Sequence, residues 1–541
     1  MNTDNKPQTV YESIAHTASL HPDRPVLQTL PGSAKVYGIE AGELSYQDFI
    51  TQADDLAANL LDAGYTTGMR VAVLLENRPD FFVTFAALNR IGASIVPINP
   101  DLRATELTYL IGHSEPALII CLESRKHELR DAAASSGVEL AVITSGNKPA
   151  APRSNAVVAE NLTGVEREAA VLYTSGTTGE PKGCVLPNEY FLLAGHWYAT
   201  LGGIVNLSTD GERMITPLPA FHMNAMAYSF MAMVTVGGCL ISLDRFHPRS
   251  WWSDVAASRA TCLHYLGVMP SVLMSLPESS DDRDHQIRFG FGAGVDPKLQ
   301  VSFEKRFGFP LVEAWAMTET GAGAVIAAHK ADRLVAQSCL GAPEGWVSAR
   351  VVTENGTETM PDEPGELLVR NAGKNPRQGF FSHYYKNPGA TAEAWQDDWF
   401  HTGDVVRRNS NGQFFFVDRK KNVIRRSGEN IAAVEVESLL MRHPQINAAG
   451  VAAVPDEIRG DEVFACLSAT EATPALATDI VEWALGEMAY YKVPGYIAFV
   501  DKLPLTSTQK IQRKALQELA SKLLNDETTI QLTHLKKRQT A

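Results

Sequence analysis

Between Thr174 and Gly183 the chain places four hydroxyl side chains, three glycines and one lysine in ten residues, a composition suited to holding a polyanion. Glycine lets the backbone turn with positive φ and lets N–H groups approach phosphate oxygens closely. Gly176 and Gly179 supply that freedom, Thr174, Ser175, Thr177 and Thr178 add donors, Lys182 adds a charge, and Pro181 stiffens the loop just before it. Glu180 and Pro181 separate Gly179 from Lys182, so the order is not G-x-x-x-x-G-K-S/T and a P-loop NTPase is excluded. A Ser/Gly linker rarely follows an apolar strand so tightly or spends a lone lysine there. A second chemical cluster, Glu313-Ala314-Trp315-Ala316-Met317-Thr318-Glu319-Thr320, offers an aromatic ring for base stacking, a hydroxyl for phosphate and a carboxylate for Mg²⁺, a hard cation preferring oxygen. Its alternative is a plain amphipathic segment. Thr402-Gly403-Asp404 presents a carboxylate after a tight turn; such a group can accept both hydroxyls of a ribose, although Gly and Asp are also ordinary turn residues.

These groups need a scaffold, and the chain supplies one. At 541 residues it is too long for a single core, and 45% hydrophobic with 20% charged residues is the balance of a soluble globular protein. Residues 11–20 read as a helix closed by His21-Pro22. Ser45 with Asp48 makes an N-cap box, after which Phe49, Ala53, Leu56, Ala57, Leu60 and Leu61 recur at helical spacing until Gly64. Strand-like runs at 70–75, 94–98, 117–122 and 138–144 alternate with a helix at 80–91, which predicts a largely parallel sheet with helices on its faces. A linker is expected at 146–155, and Val171–Tyr173 is the strand that empties into the hydroxyl loop. The apolar run 225–241 is interrupted by Thr235, Gly237 and Gly238, so it reads as a buried helix, a turn and a strand rather than a membrane span. From 421 onward, a helix at 434–441, strands at 448–454 and 463–469 and a helix at 479–488 suggest a small α+β unit.

A net charge of −14 argues against bulk binding of nucleic acid or an anionic membrane, so anionic ligands must be held by local groups. The six cysteines show no paired spacing and the N-terminus lacks the apolar core of a signal peptide, which together predict a cytoplasmic protein.

Tyr173-Thr-Ser-Gly-Thr-Thr-Gly-Glu-Pro-Lys-Gly183 resembles the phosphate loop of the adenylate-forming superfamily, which includes acyl-CoA synthetases, adenylation domains and firefly luciferase. The similarity runs from the first βαβ units to Arg513. Pro219-Ala220-Phe221-His222, Tyr384 through Thr391, and Gly428-Glu429-Asn430 through Glu437 look most like acyl-CoA ligases of the crotonobetaine/carnitine type. The resemblance implies an α/β fold: a large N-terminal domain of βαβ subdomains at 1–420, a small mobile C-terminal domain at 421–525, and a tail at 526–541. It implies a site in which Lys182, Thr318, Glu319 and Lys510 are catalytic and Glu319 holds the metal. Thr174 to Gly179, Gly292, Ala293, Trp315, Thr318, Asp404 and Arg419 would bind nucleotide, with Trp315 packed on adenine and Asp404 and Arg419 on ribose. Glycine in the family's Tyr-Gly-x-Thr-Glu pattern is Ala316 here, and the usual glycine before the lysine is Gln509.

His222, Ala316 and Trp197 are expected at the acyl pocket. A lone histidine is as often a satisfied structural group, and Trp197 with Tyr198 is either an aromatic wall or ordinary packing. The methyl of Ala316 should shorten the acyl tunnel without closing it, which favours a small or medium acid over a long fatty chain. Lys421 matches the hinge and Gly428 the wall of a thiol tunnel. The expected substrates are a carboxylic acid, ATP with Mg²⁺, and coenzyme A, with no nucleic acid and no membrane span, in a monomer or homodimer. Transfer to a carrier-protein phosphopantetheine and a non-catalytic binding module remain the alternatives.

Overall fold

The computed structural model describes residues 6–152, 162, 164–174, 180–419, 423–505 and 511–537, with 418, 419 and 423 by backbone only. Val71, Ala72, Val73 and Leu74 show no polar alternation because both faces of their strand are covered, and all four are fully buried. Among the described residues they belong to a seven-stranded sheet in the order His383–Tyr384, Lys182–Pro187, Glu168–Thr174, Ser94–Pro97, Arg70–Leu74, Leu118–Cys121 and Ala141–Thr144. The last five run parallel; the first two are added antiparallel.

An eight-stranded sheet faces the same core. Its central strands, Leu311–Trp315, Phe289–Ala293, Cys262–Leu266, Arg213–Thr216, Cys239–Ser242 and Pro25–Thr29, are parallel, with antiparallel edges at Ile326–Ala327 and Gly42–Ser45. Helices Val10–Leu20, Tyr46–Ala63, Pro79–Arg90, Asn188–Thr200 and Phe230–Val236 join strands from both sheets in one apolar core. Ser45 caps its helix as its spacing predicts, accepting from the Asp48 N–H at 3.0 Å, and Gly64 ends it at φ +99°. The strand expected at 138–144 is confined to Ala141–Thr144. The run at 225–241 contains the expected helix, turn and strand, and also a π-helical turn at Asn224–Ser229 that apolar periodicity does not reveal. Among the described residues no helix is long and apolar enough to cross a membrane.

A third, antiparallel sheet of the large lobe is built on Pro364–Asn371, Trp399–Arg408 and Phe414–Arg419. Beyond it lies a small lobe with two apolar clusters of its own, distinct from the core above. Its sheet runs Glu429–Ala432, Val423–Arg426, Gly460–Ala469, Tyr496–Phe499 and Ile530–Gln531, with Ile446–Asp456 also paired to Gly460–Ala469. The helix expected at 479–488 begins earlier, at Pro474, where the Thr473 hydroxyl accepts from the Leu476 N–H at 3.1 Å. The tail folds back: Leu532 enters the lobe's core, and the buried Lys536 ammonium donates to Glu462, whose other oxygen accepts from Arg426 Nε at 2.8 Å.

The two lobes meet at Glu106 on the helix Ala104–Ser114 of the large lobe. Its carboxylate accepts from Lys492 Nζ at 2.7 Å and from the Ala489 N–H at 2.8 Å, and Glu435 holds the same ammonium at 2.5 Å. Burial pushes Glu106 upward and Lys492 opposes it; the ammonium between two carboxylates is held charged. Asn99 Nδ2 donates to Tyr491 OH at 3.0 Å beside this contact.

Candidate active site

The parallel strands of both large sheets point their carboxyl ends at one cleft, where open α/β sheets bind ligands. The cavity there measures about 600 Å³ and is closed on one side by the small lobe. Thr174 and Lys182 come from the arms of one hairpin, paired across the ladder, and both line the cleft.

Lys182 Nζ sits 4.7 Å above the centre of the Tyr384 ring, and the Tyr384 O–H donates to Glu319 Oε1 at 2.7 Å. Tyr384 thus stands between the cation and the carboxylate and fixes both. Burial pushes its phenol far above the ordinary value, with Glu319 adding to the shift, so it acts here only as a donor. Thr318 lines the same wall. Among the described residues no group of three or more His, Cys, Asp or Glu gathers, so a cage made by protein alone is not formed. A single carboxylate at Glu319 does fit Mg²⁺ brought in on nucleotide phosphates, since that ion keeps waters and commonly takes only one or two protein ligands.

Gly292 and Ala293 end the strand Phe289–Ala293 at the cleft wall. A Cβ at 292 would lie 2.1 Å from the Tyr265 carbonyl oxygen, which is why glycine stands there. The turn after them is held by Glu313, a buried carboxylate raised by burial, which accepts from Tyr265 OH at 2.6 Å and from the Gly294 and Val295 N–H groups at 2.9 and 3.1 Å. Asp404 lines the opposite wall from the third sheet, with Gly403 at φ +69° and the backbone of Arg419 directly across the ladder.

Trp315 departs from its expected place. Its ring is buried in the main core rather than lining the cleft, and its indole N–H donates to Asp404 Oδ2 at 2.8 Å. In this arrangement it orients the carboxylate instead of offering a stacking face to a base. Replacing Trp315 by Phe deletes that donor and leaves a smaller aromatic ring in the core. The expected result is a KM for ATP about 5- to 10-fold higher, the size of one lost hydrogen bond, read from steady-state kinetics with ATP varied.

At the other end of the cleft, Trp197, Tyr228 and Phe291 form an aromatic lining next to Ala316, with Trp197 5.4 Å from Tyr228 and 6.1 Å from Phe291. Tyr198, offered with Trp197 as an aromatic wall, lies behind it: it is fully buried and does not reach the cavity. His222 lines the cleft with Nε2 3.3 Å from Glu429 Oε1 of the small lobe. Gly428 lines it too, at φ +89°, and a Cβ there would stand 2.4 Å from Leu266 Cδ1 of the large lobe. The residues flanking the segment 506–510, Leu505 and Ile511, pair with each other and do not line the cavity; Ile511 packs on the second small-lobe cluster. Ser175, Gly176, Thr177, Thr178, Gly179, Lys421 and Lys510 lie outside the described residues, as does the Arg419 side chain. Tyr384, Glu313 and the Glu106–Lys492 contact carried no site assignment from sequence; Tyr384 sits in a quoted stretch, but only folding sets it against Lys182 and Glu319.

The chain is similar to known proteins along most of its length. Residues 14–384 match the family model described as AMP-binding enzyme, and residues 435–510 match the AMP-binding enzyme C-terminal domain. A crotonobetaine/carnitine–CoA ligase of Escherichia coli O157:H7 (strain EC4115 / EHEC) is 30% identical over 492 residues, 86% of this chain and 92% of the relative. Among solved structures, o-succinylbenzoate CoA synthetase from Bacillus subtilis, bound with a product analogue, superposes with a TM-score of 0.78 at 22% identity, covering 93% of this chain and 97% of that one. The amide bond synthetase McbA from Marinactinospora thermotolerans gives a TM-score of 0.79 at 21% identity over 94% and 99%. At such identities the two structures speak for the fold.

Proposed function

The chain belongs to the AMP-binding enzyme family, and from that membership we propose that it activates a small or medium carboxylic acid with ATP and passes the acyl group to coenzyme A. A carboxylate is a poor electrophile because no good group can leave it. Its oxygen attacks the α-phosphorus of ATP, the bond to the β-phosphate breaks, and an acyl-AMP anhydride and pyrophosphate result. A thiolate then attacks the acyl carbon, the bond to AMP breaks, and a thioester forms. Acid and ATP repel each other, so the first task is to cancel charge. Lys182 and the hydroxyl loop serve the β and γ phosphates, Asp404 and the 292–293 shelf hold the nucleoside, and Lys510 bridges the acid and the α-phosphate. Mg²⁺ held by Glu319 supplies further neutralisation of the phosphate oxygens. No protein nucleophile is required. All six cysteines are buried and unpaired, and burial and Glu319 push the Cys184 thiol, next to the phosphate loop, well above its ordinary value.

One observation carries this reading: Thr174, Lys182, Thr318, Glu319, Gly292 and Asp404 arrive from three different sheets at one cavity, and the small lobe closes it with Gly428. The Gly428 turn, rather than the residues flanking 506–510, faces the cleft, which supports an arrangement for the second half-reaction in which a thiol enters beside Gly428. We assign Lys421 as the pivot that exchanges the two faces, with the small domain running from 421 through the folded-back tail to 537, and place the enzyme in the cytoplasm, where free thiols persist. The test is AMP and pyrophosphate release with CoA across a panel of carboxylic acids of different length. Acids of about four to eight carbons should turn over better than palmitate, and Lys510→Ala should lower pyrophosphate release by about 100-fold or more. Product formed on a carrier protein but not on free CoA would reassign the acceptor.

A further inference from the structure

Among the described residues, the aromatic end of the cleft includes a side-chain amide that the chemistry above does not use. Asn224 lines the cavity from the π-helical turn, beside Tyr228 of the same turn. Behind it is His264, fully buried on the strand Cys262–Leu266, stacked on Tyr198 at 5.4 Å and 5.7 Å from Phe291. His264 Nδ1 is 2.7 Å from Asn224 Oδ1 and 2.8 Å from Ser229 Oγ, and Nε2 is 3.0 Å from Tyr198 OH.

Burial pushes His264 down to about 3, so the ring is neutral and carries a single N–H. Two arrangements are then open. With the proton on Nδ1, that N–H donates to Asn224 Oδ1 and Ser229 Oγ, the Tyr198 O–H donates to Nε2, and the Ser229 O–H donates to the Asn224 carbonyl at 3.2 Å. Every donor of the His264, Ser229 and Tyr198 network is then satisfied. With the proton on Nε2 it must point at the Tyr198 oxygen, and the Tyr198 O–H, fully buried, is left with no other acceptor among the described residues. An unmade buried hydrogen bond is the costlier state, so the first arrangement prevails. It fixes the Asn224 amide with its oxygen inward. The amide nitrogen has no hydrogen-bond partner among the described residues and is the part of the side chain left for the cavity.

We infer that the acid carries a hydrogen-bond acceptor on its acyl chain, a hydroxyl or oxo oxygen that takes the Asn224 N–H, and is not an unsubstituted alkanoic acid. The inference rests on the carboxylate-activating reading proposed above. A plain alkyl chain packed among Trp197, Tyr228 and Phe291 displaces water from that amide and returns nothing to it. A site built to meet an oxygen discriminates against the analogue that lacks it more sharply than an apolar pocket discriminates by length.

The test compares AMP release in the presence of CoA for alkanoic acids of about four to eight carbons, each paired with its hydroxy and oxo derivatives at successive chain positions. The expected result is at least one oxygenated acid with a kcat/KM about 10- to 100-fold above its alkanoic parent, and a fall of that ratio to about one in Asn224→Leu. Alkanoic acids used as well as every oxygenated partner by the unsubstituted enzyme would overturn the inference without any variant, as would a preference that survives Asn224→Leu. No AMP release with any acid would overturn it together with the reading beneath it, an outcome distinct from the others because in those the acids do turn over.

Discussion

Gly428→Leu is expected to lower thioester formation by about 10- to 100-fold while leaving acyl-AMP formation within about 3-fold. Gly428 holds φ +89° and packs against Leu266 so closely that even a Cβ would stand 2.4 Å from its Cδ1. A non-glycine residue in the left-handed region costs about 1–2 kcal/mol in any arrangement of the lobes. Forcing a side chain into the packed contact costs about 1–3 kcal/mol more, about 10- to 100-fold in rate. That second cost falls on the arrangement in which the small lobe presents this turn to the cleft. An arrangement that carries Gly428 away from Leu266 does not bear it. The check is a two-stage assay: pyrophosphate release without CoA for the first half-reaction, thioester yield after CoA is added for the second. Equal losses in both stages would show that Gly428 serves the whole fold and not one half-reaction.

The second large effect is expected from Glu319→Gln. The replacement keeps the shape of the side chain and an oxygen to accept the Tyr384 O–H, so stability should stay close to that of the unsubstituted protein. It removes one negative charge where a divalent ion and three phosphates are to be balanced. Losing a single preorganised electrostatic group of this kind costs about 10²- to 10³-fold in kcat, and acyl-AMP formation should fall by that amount, with half-saturation by Mg²⁺ moved to higher concentration. Unchanged Mg²⁺ dependence would remove Glu319 from the metal site. Tyr384→Phe separates the two roles, because it removes the hydroxyl that Glu319 accepts while keeping the ring beneath Lys182 and both charges.

What the sequence made legible were features that one short segment carries by itself. Ser45, Asp48 and Gly64 bracket a helix of 18 residues, and the structure caps it there. The hydroxyl loop announces its chemistry through composition, and folding brings its ends, Thr174 and Lys182, into register. The family and the α/β architecture followed from such segments. Contacts between distant segments were hidden for the same reason. The Tyr384 bridge, the Glu106–Lys492 contact and the His264 network each join residues that share no local pattern, and each becomes visible only once sheets and helices are placed. Trp315 shows the limit from the other side: its type suited base stacking, but the strand that carries it turns the ring into the core and leaves Ala314 and Ala316 at the wall.

Lys536 places a constraint on anyone grafting small lobes between relatives. The matched C-terminal family segment stops at residue 510, and a chimera cut there, or just past the helix Arg513–Leu523, would discard the ammonium that Glu462 meets in the interior. Arg426 would then face that acid alone, one residue from the Ser427–Gly428 bend, and an exchange designed to transplant acceptor preference would instead loosen the bend it meant to deliver. Crossover points belong after residue 537.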